Sequence, residues 1–141
     1  TCGHFPWEEV RETLPALDLF LFDIKHISAS RHLKLTGTGN ELILDNFRRL
    51  LGAGKPVIVR FPLLPGVNDE TRHLEELGEV LAATAPGIRI DILPYHRLGN
   101  AKYGGLGREY ALERLAAPSA ERVQEVKDFF VGRGFAARVE V

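Results

Sequence analysis

Leu19-Phe20-Leu21-Phe22-Asp23-Ile24-Lys25 is the stretch on which the fold turns. It begins as a continuous apolar run and ends on two opposite charges two residues apart. A run apolar on both faces suits a parallel strand covered on each side. Asp23 and Lys25 alternate with Ile24, so both charges leave the strand end on one side. The carboxyl ends of parallel strands form the ligand face of α/β sheets and barrels. Asp23 and Lys25 are therefore candidate site residues. An ion pair on the strand rim, worth little in water, is the other reading of the same two charges.

The surrounding chain extends this pattern. Pro6, Glu8 and Glu9 suit a helix start and predict a short helix from Pro6 to Leu14, ended by Pro15. Ser28 or Ser30 caps a short helix that includes Arg31, His32 and Leu35. Thr36-Gly37-Thr38-Gly39 lacks a Gly-x-Gly-x-x-Gly pattern and reads as a turn rather than a phosphate loop. Asn40 caps a helix over Glu41–Leu51, with Ile43, Phe47, Leu50 and Leu51 on one face. Val57-Ile58-Val59-Arg60-Phe61 is a second strand, and Pro62-Leu63-Leu64-Pro65-Gly66 cannot continue a sheet interior. Asn68 or Asp69 caps a helix running to Thr84. Ile88–Leu93 is a third strand, ending at Pro94-Tyr95-His96. Arg97–Leu115 is Gly-rich and irregular. Ser119 caps a last helix to Arg133, and Phe135–Val141 reads as a final short strand. Alternating strands and helices predict a parallel sheet with right-handed crossovers.

Bulk properties set limits. The chain has 141 residues, a formal charge of −1 and 45% hydrophobic residues, which suits one globular domain. Near-neutral charge gives no field favouring nucleic acid or an anionic membrane. No apolar run approaches the ~20 residues of a membrane helix. Thr1-Cys2-Gly3, without Met, reads as a cut through a longer polypeptide. Cys2 is the one cysteine, so no intrachain disulfide and no cysteine-built cluster can form within the segment. A reducing, cytoplasmic setting is expected. His4, His26, His32 and His73 lack metal-ligand spacing and are expected to be surface or capping residues.

Three motifs resemble one family. Phe22-Asp23-Ile24-Lys25-His26 with Leu35-Thr36-Gly37 is similar to the D-L-K…T-G segment of glycyl-radical-enzyme activating enzymes. These are radical S-adenosylmethionine proteins typified by the pyruvate formate-lyase activating enzyme. Val59-Arg60-Phe61-Pro62-Leu63-Leu64-Pro65-Gly66-Val67-Asn68-Asp69 resembles their R-x-P-x-x-P-G-x-N-D segment. Leu93-Pro94-Tyr95-His96-Arg97-Leu98-Gly99, then Lys102-Tyr103 and Leu106-Gly107-Arg108-Glu109-Tyr110, resembles their L-P-Y-H-R-L-G…K-Y…L-G-R-E-Y segment. The order and intervals match, and the resemblance covers essentially the whole chain. Thr1-Cys2-Gly3 resembles the end of the family's D-T-x-G.

The resemblance implies an α/β fold: the C-terminal half of a (β/α)6 partial TIM barrel, strands four to six with a terminal helix and strand, as a single partial domain over 1–141. The N-terminal half would carry C-x-x-x-C-x-x-C for a [4Fe–4S] cluster, so the segment alone is expected to be inactive. The implied reaction is reductive cleavage of S-adenosylmethionine and removal of hydrogen from a backbone glycine of a partner glycyl-radical enzyme. Flavodoxin or ferredoxin would supply the electron. The resemblance assigns Lys25 to the methionyl carboxylate and Asp23 to the ribose or a cation. Thr1 and the Leu21 carbonyl would be further ligands of a monovalent cation. Arg60 is a carboxylate clamp or a rim ion pair. His96 would meet the adenine or ribose edge, and Tyr95 is a substrate contact or a packing residue. Arg97, Lys102 and Arg108 form a basic stretch at the mouth, either a contact for the partner's glycyl loop or a solvated loop.

Two other classes stay open on the residues alone. Lys25 at a strand end permits a Schiff-base lyase or aldolase, which requires a desolvated amine. A non-catalytic α/β docking module is the second. An open half-barrel leaves an unpaired edge, so the isolated segment is expected to dimerise, aggregate or rely on the missing half.

Overall fold

The computed structural model describes residues 1–96 and 115–140. Four parallel strands form one sheet: β1 (Phe20–Asp23), β2 (Val57–Leu63), β3 (Arg89–Pro94) and β4 (Ala136–Val139), in the spatial order β1-β2-β3-β4. Helices α1 (Trp7–Arg11), α2 (Ala29–Thr36), α3 (Glu41–Gly52), α4 (Thr71–Thr84) and α5 (Ala120–Gly132) precede or connect the strands, with a 3-10 turn at Leu14–Ala16. Each strand joins the sheet beside its predecessor. That sequential order is how a barrel wall is built, in contrast to the reversal of a doubly wound sheet.

The two sheet faces differ in chemistry. Phe20, Phe22, Val57, Val59, Phe61, Leu63, Ile90, Ile92 and Ala137 are buried on one face. Helices supply Ile43, Phe47, Leu50, Leu74, Leu77, Leu81, Val126 and Phe130 to the same core. Phe22 and Phe47 meet with ring centroids 5.3 Å apart. Burying each such side chain contributes roughly 1.5–3 kcal/mol. The opposite face carries Asp23, Arg60, Asp91 and Arg138.

Several boundaries depart from the sequence expectation. β2 continues through Pro62 to Leu63. The Arg60 carbonyl accepts from Ile24 N, so Pro62, two residues later, faces the same side beyond the end of β1. No donor is needed there, and the missing proline N–H costs the ladder nothing. α4 begins at Thr71, after Glu70, and neither Asn68 nor Asp69 caps it. Likewise Asn40 precedes α3 without a side-chain cap bond. Both asparagines are used elsewhere. Ser28 and Ser119 do cap, accepting from Arg31 N and Arg122 N. Gly37 closes α2 at φ 78°, as the Thr36–Gly39 turn requires. α1 stops at Arg11, short of the expected Leu14.

Candidate functional site

β1 and β2 deliver their charges to one point. Asp23 and Arg60 are register partners, and Arg60 Nε donates to Asp23 Oδ1 at 2.7 Å. Lys25 Nζ lies 3.3 Å from the other carboxylate oxygen, Oδ2. Asp23 thus bridges two cations while its side chain is 17% exposed. Half-burial pushes its carboxyl up. The Arg60 hydrogen bond and the nearby Lys25 and Arg60 charges outweigh burial and hold it below the usual carboxylate value. Asp23 and Lys25, with Cys2, His32 and Thr38, line a cavity of about 260 Å³ at the end of β1.

The pairing register shows more than the sequence did. Asp23 pairs with Arg60, Arg60 with Asp91, and Asp91 with Arg138. One alternating row of charges crosses all four strands on the face opposite the core. Asp91 is only 7% exposed and accepts from Arg89 Nε at 2.7 Å and Nη2 at 3.1 Å. Arg89 also reaches Glu140 at 3.0 Å. Asp91, Arg89, Arg138 and Glu140 are not among the residues expected from sequence. Ile90-Asp91-Ile92 and Ala137-Arg138-Val139 each hold a charge between apolar residues, which was the available signal.

The chain start also joins this site. The Thr1 amino group donates to Leu21 O at 2.8 Å, and Asp23 N donates to Thr1 O at 2.9 Å. Thr1 therefore lies along the open edge of β1, beside the residues of the expected cation site. Two cations already meet Asp23. Among the described residues no cluster of three or more His, Cys, Asp or Glu side chains is placed to hold a metal. The described residues do not fit an iron–sulfur cluster. They do fit an anionic carboxylate: Lys25 is 38% exposed at the cavity, and among the described residues Arg60 engages Asp23 through Nε alone.

Tyr95 is half-buried after β3, with its N–H on Leu63 O, and His96 is exposed beside it. Arg97, Lys102 and Arg108 lie outside the described residues.

The histidines correct the surface expectation. Of the four histidines expected at the surface or as caps, His26, His32 and His73 are buried and His4 is exposed. His32 Nδ1 is 2.6 Å from Thr38 O, tying α2 to its closing turn. His26 and His73 stack with ring centroids 4.0 Å apart. His26 Nδ1 accepts from Ser28 N, while His26 Nε2 and both His73 ring nitrogens have no hydrogen-bond partner among the described residues. Burial, followed by the charge of neighbouring His26, pulls His73 down to about 4. Burial and Arg31 lower His26 as well. The Ser28 bond and loss of hydration explain why these rings pack as neutral groups.

No protein-family model matches the chain. Over 130 residues it is 43% identical to the choline trimethylamine-lyase activating enzyme of Oleidesulfovibrio alaskensis, covering 90% of this chain and 42% of that protein. Over 122 residues it is 42% identical to the (2S)-3-sulfopropanediol sulfolyase activating enzyme of Bilophila wadsworthia, covering 85% of this chain and 40% of that protein. The chain spans less than half the length of these curated relatives. Among solved structures, a domain of pyruvate-formate lyase-activating enzyme from Bacteroides vulgatus superposes with a TM-score of 0.77 at 27% identity. That match covers 96% of this chain and 75% of the other.

Proposed function

Because this chain belongs to the glycyl-radical-enzyme activating enzymes of the radical S-adenosylmethionine type, we propose that it is the C-terminal half of such an activase's partial barrel, and that its β1–β2 strand ends hold S-adenosylmethionine. When bound with a reduced [4Fe–4S] cluster, S-adenosylmethionine supplies the oxidising species that removes a hydrogen atom from a backbone glycine of a protein partner. The cluster ligands and the upstream strands belong to the remainder of the full-length protein. A small electron-transfer protein such as flavodoxin or ferredoxin is the reductant.

One observation carries the residue assignments: Asp23 bridges Lys25 and Arg60 at the carboxyl ends of adjacent parallel strands, at the rim of a cavity. Lys25 offers a point charge to the methionyl carboxylate. Asp23 holds Lys25 and Arg60 in place and accepts from the ribose. Arg60 stands ready as a second cation for an anionic group. His96, exposed after β3, meets the adenine or ribose edge, with Tyr95 beside it. The basic Arg97, Lys102 and Arg108 contact the partner's glycyl loop. A Schiff-base role for Lys25 gains no support, since its amine stands 3.3 Å from a carboxylate and is exposed rather than desolvated.

The test is equilibrium binding of S-adenosylmethionine to the anaerobically reconstituted full-length protein. Lys25→Ala should weaken it at least tenfold, and 5′-deoxyadenosine release should fall with it. Unchanged affinity in Lys25→Ala would overturn the assignment.

A further inference from the structure

Two buried asparagines, Asn40 directly before α3 and Asn68 three residues before the start of α4, cap neither helix with their side chains. Asn68 Nδ2 donates to Lys25 O at 3.0 Å and to Pro62 O at 2.6 Å, while Asn68 Oδ1 accepts from Leu64 N at 2.8 Å. Asn40 Nδ2 donates to His26 O at 3.0 Å and to Ile27 O at 2.6 Å. The two amides therefore take the carbonyls of three consecutive residues, Lys25, His26 and Ile27. Both side chains are almost wholly buried. Their partners on this side are carbonyl oxygens, which only an NH₂ group can satisfy twice.

This segment has left the sheet, so its carbonyls have no ladder partners and would otherwise face burial unpaired. Ordinary structure would meet that need with a turn or with water. Here two amides from separate crossover connections, one before α3 and one before α4, converge on it instead. The next N–H is also taken, because Ser28 N donates to His26 Nδ1. The outcome is a fixed backbone at the one point where Lys25 leaves β1. Asn68 additionally ties that point to Pro62, two residues beyond Arg60 on β2. A single side chain thus sets the spacing between the strand ends that carry Lys25 and Arg60.

We propose that Asn68 and Asn40 are positioning residues that hold the Lys25 backbone in the geometry the bound carboxylate requires. The inference rests on the Lys25 assignment above. Binding and orientation gain from groups already fixed before the ligand arrives, since less ordering remains to oppose association. Loss of either clamp should therefore appear as weaker ligand binding, beyond any loss of stability.

The experiment uses the full-length protein with five single variants: Lys25→Ala, Asn68→Asp, Asn68→Ser, Asn40→Asp and Val126→Ala. Asp keeps the size but removes the donors. Ser removes one donor without adding charge and serves where Asn68→Asp does not fold. Val126, buried in α5, is the control for general destabilisation. The readouts are the Kd for S-adenosylmethionine and amide hydrogen exchange over residues 24–28. The expected result is a five- to twentyfold rise in Kd for the folded asparagine variants, at least tenfold faster exchange over 24–28, and neither change in Val126→Ala. Exchange that speeds while Kd stays within twofold overturns the inference and leaves the Lys25 assignment intact. An equal rise in Kd for Val126→Ala overturns it as well. An unchanged Kd in Lys25→Ala overturns the assignment itself and the inference with it.

Discussion

Arg60 Nε lies 2.7 Å from Asp23 Oδ1 across the β1–β2 ladder, where the two residues are also register partners. The geometry makes Arg60 the main support of an ionised, half-buried Asp23. Arg60→Met should cost about 2 kcal/mol, the range for a charged hydrogen bond removed from a partly buried acceptor. The pH dependence changes too. Asp23, held low, contributes stability that is present above the ordinary carboxylate value of 3.8 and is lost as pH falls below it. In Arg60→Met that acid-side loss should shrink, because burial no longer meets the arginine's opposition. Urea denaturation at pH 7 and pH 3 checks both parts.

His73 also loses stability on acidification, but over a higher pH window. Its folded value is about 4 against 6.5 unfolded, so the unfolded chain takes up the proton first. Stability from the neutral ring is full above pH 6.5 and declines by about 3 kcal/mol as pH falls toward 4. His26, lowered in the same direction, adds to the decline. His73→Phe keeps an aromatic ring against Phe61, whose centroid is 6.0 Å away. Denaturation midpoints between pH 7 and 4 should therefore fall less steeply in the variant. Parallel curves for the two proteins would refute this.

Gly3 is a steric prediction. It has φ 76°, and a Cβ there would sit 2.2 Å from Phe22 Cζ. Phe22 is fully buried, so its ring has nowhere to retreat. Gly3→Ala combines left-handed strain with overpacking and should cost at least about 2 kcal/mol. The same change at Gly37, also at positive φ, meets no atom and should cost only the conformational part, about 1 kcal/mol. A thermal melt of both variants compares them directly.

The β1 edge governs association. Leu19 is 48% exposed and Leu21 40%, and on the side away from β2 the strand's backbone hydrogen bonds among the described residues go to Thr1 alone. An apolar strand edge of this kind recruits another chain. The 141-residue chain by itself should sediment as dimers or larger species. Leu19→Lys with Leu21→Lys should shift it toward monomer in analytical ultracentrifugation. A monomeric parent chain would show that the edge is harmless.

The elements were legible because periodicity carries them. The apolar run into Asp23, the Ile43–Phe47–Leu50 stripe and the β-branched run at Val57 each follow a period that burial dictates. Asp23, Lys25 and Arg60 were legible as strand-end charges. Asp91 was not, because its meaning depends on which residues of β2 and β4 lie beside it, and register is a long-range property. Asn40 and Asn68 were misread as caps because an asparagine before a helical pattern has that local use. Their carbonyl partners, up to 43 residues away, leave no local trace. His26 and His73 gave no signal, since a buried neutral ring and an exposed one look alike in sequence.

The row Asp23–Arg60–Asp91–Arg138 has a consequence for how the chain finds its native sheet. Strands as apolar as these could slide past one another with little loss of hydrophobic contact. A slip of one residue would turn a strand over and drive its charge among Phe22, Val59, Ile90 and the helices behind them. A slip of two would keep the faces but set each charge beside an apolar residue or a like charge, as with Arg60 beside Arg89 or Asp91 beside Glu140, leaving it without its opposite. Each strand therefore carries its own alignment mark, and misthreaded pairings are disfavoured during folding, long before any ligand is met.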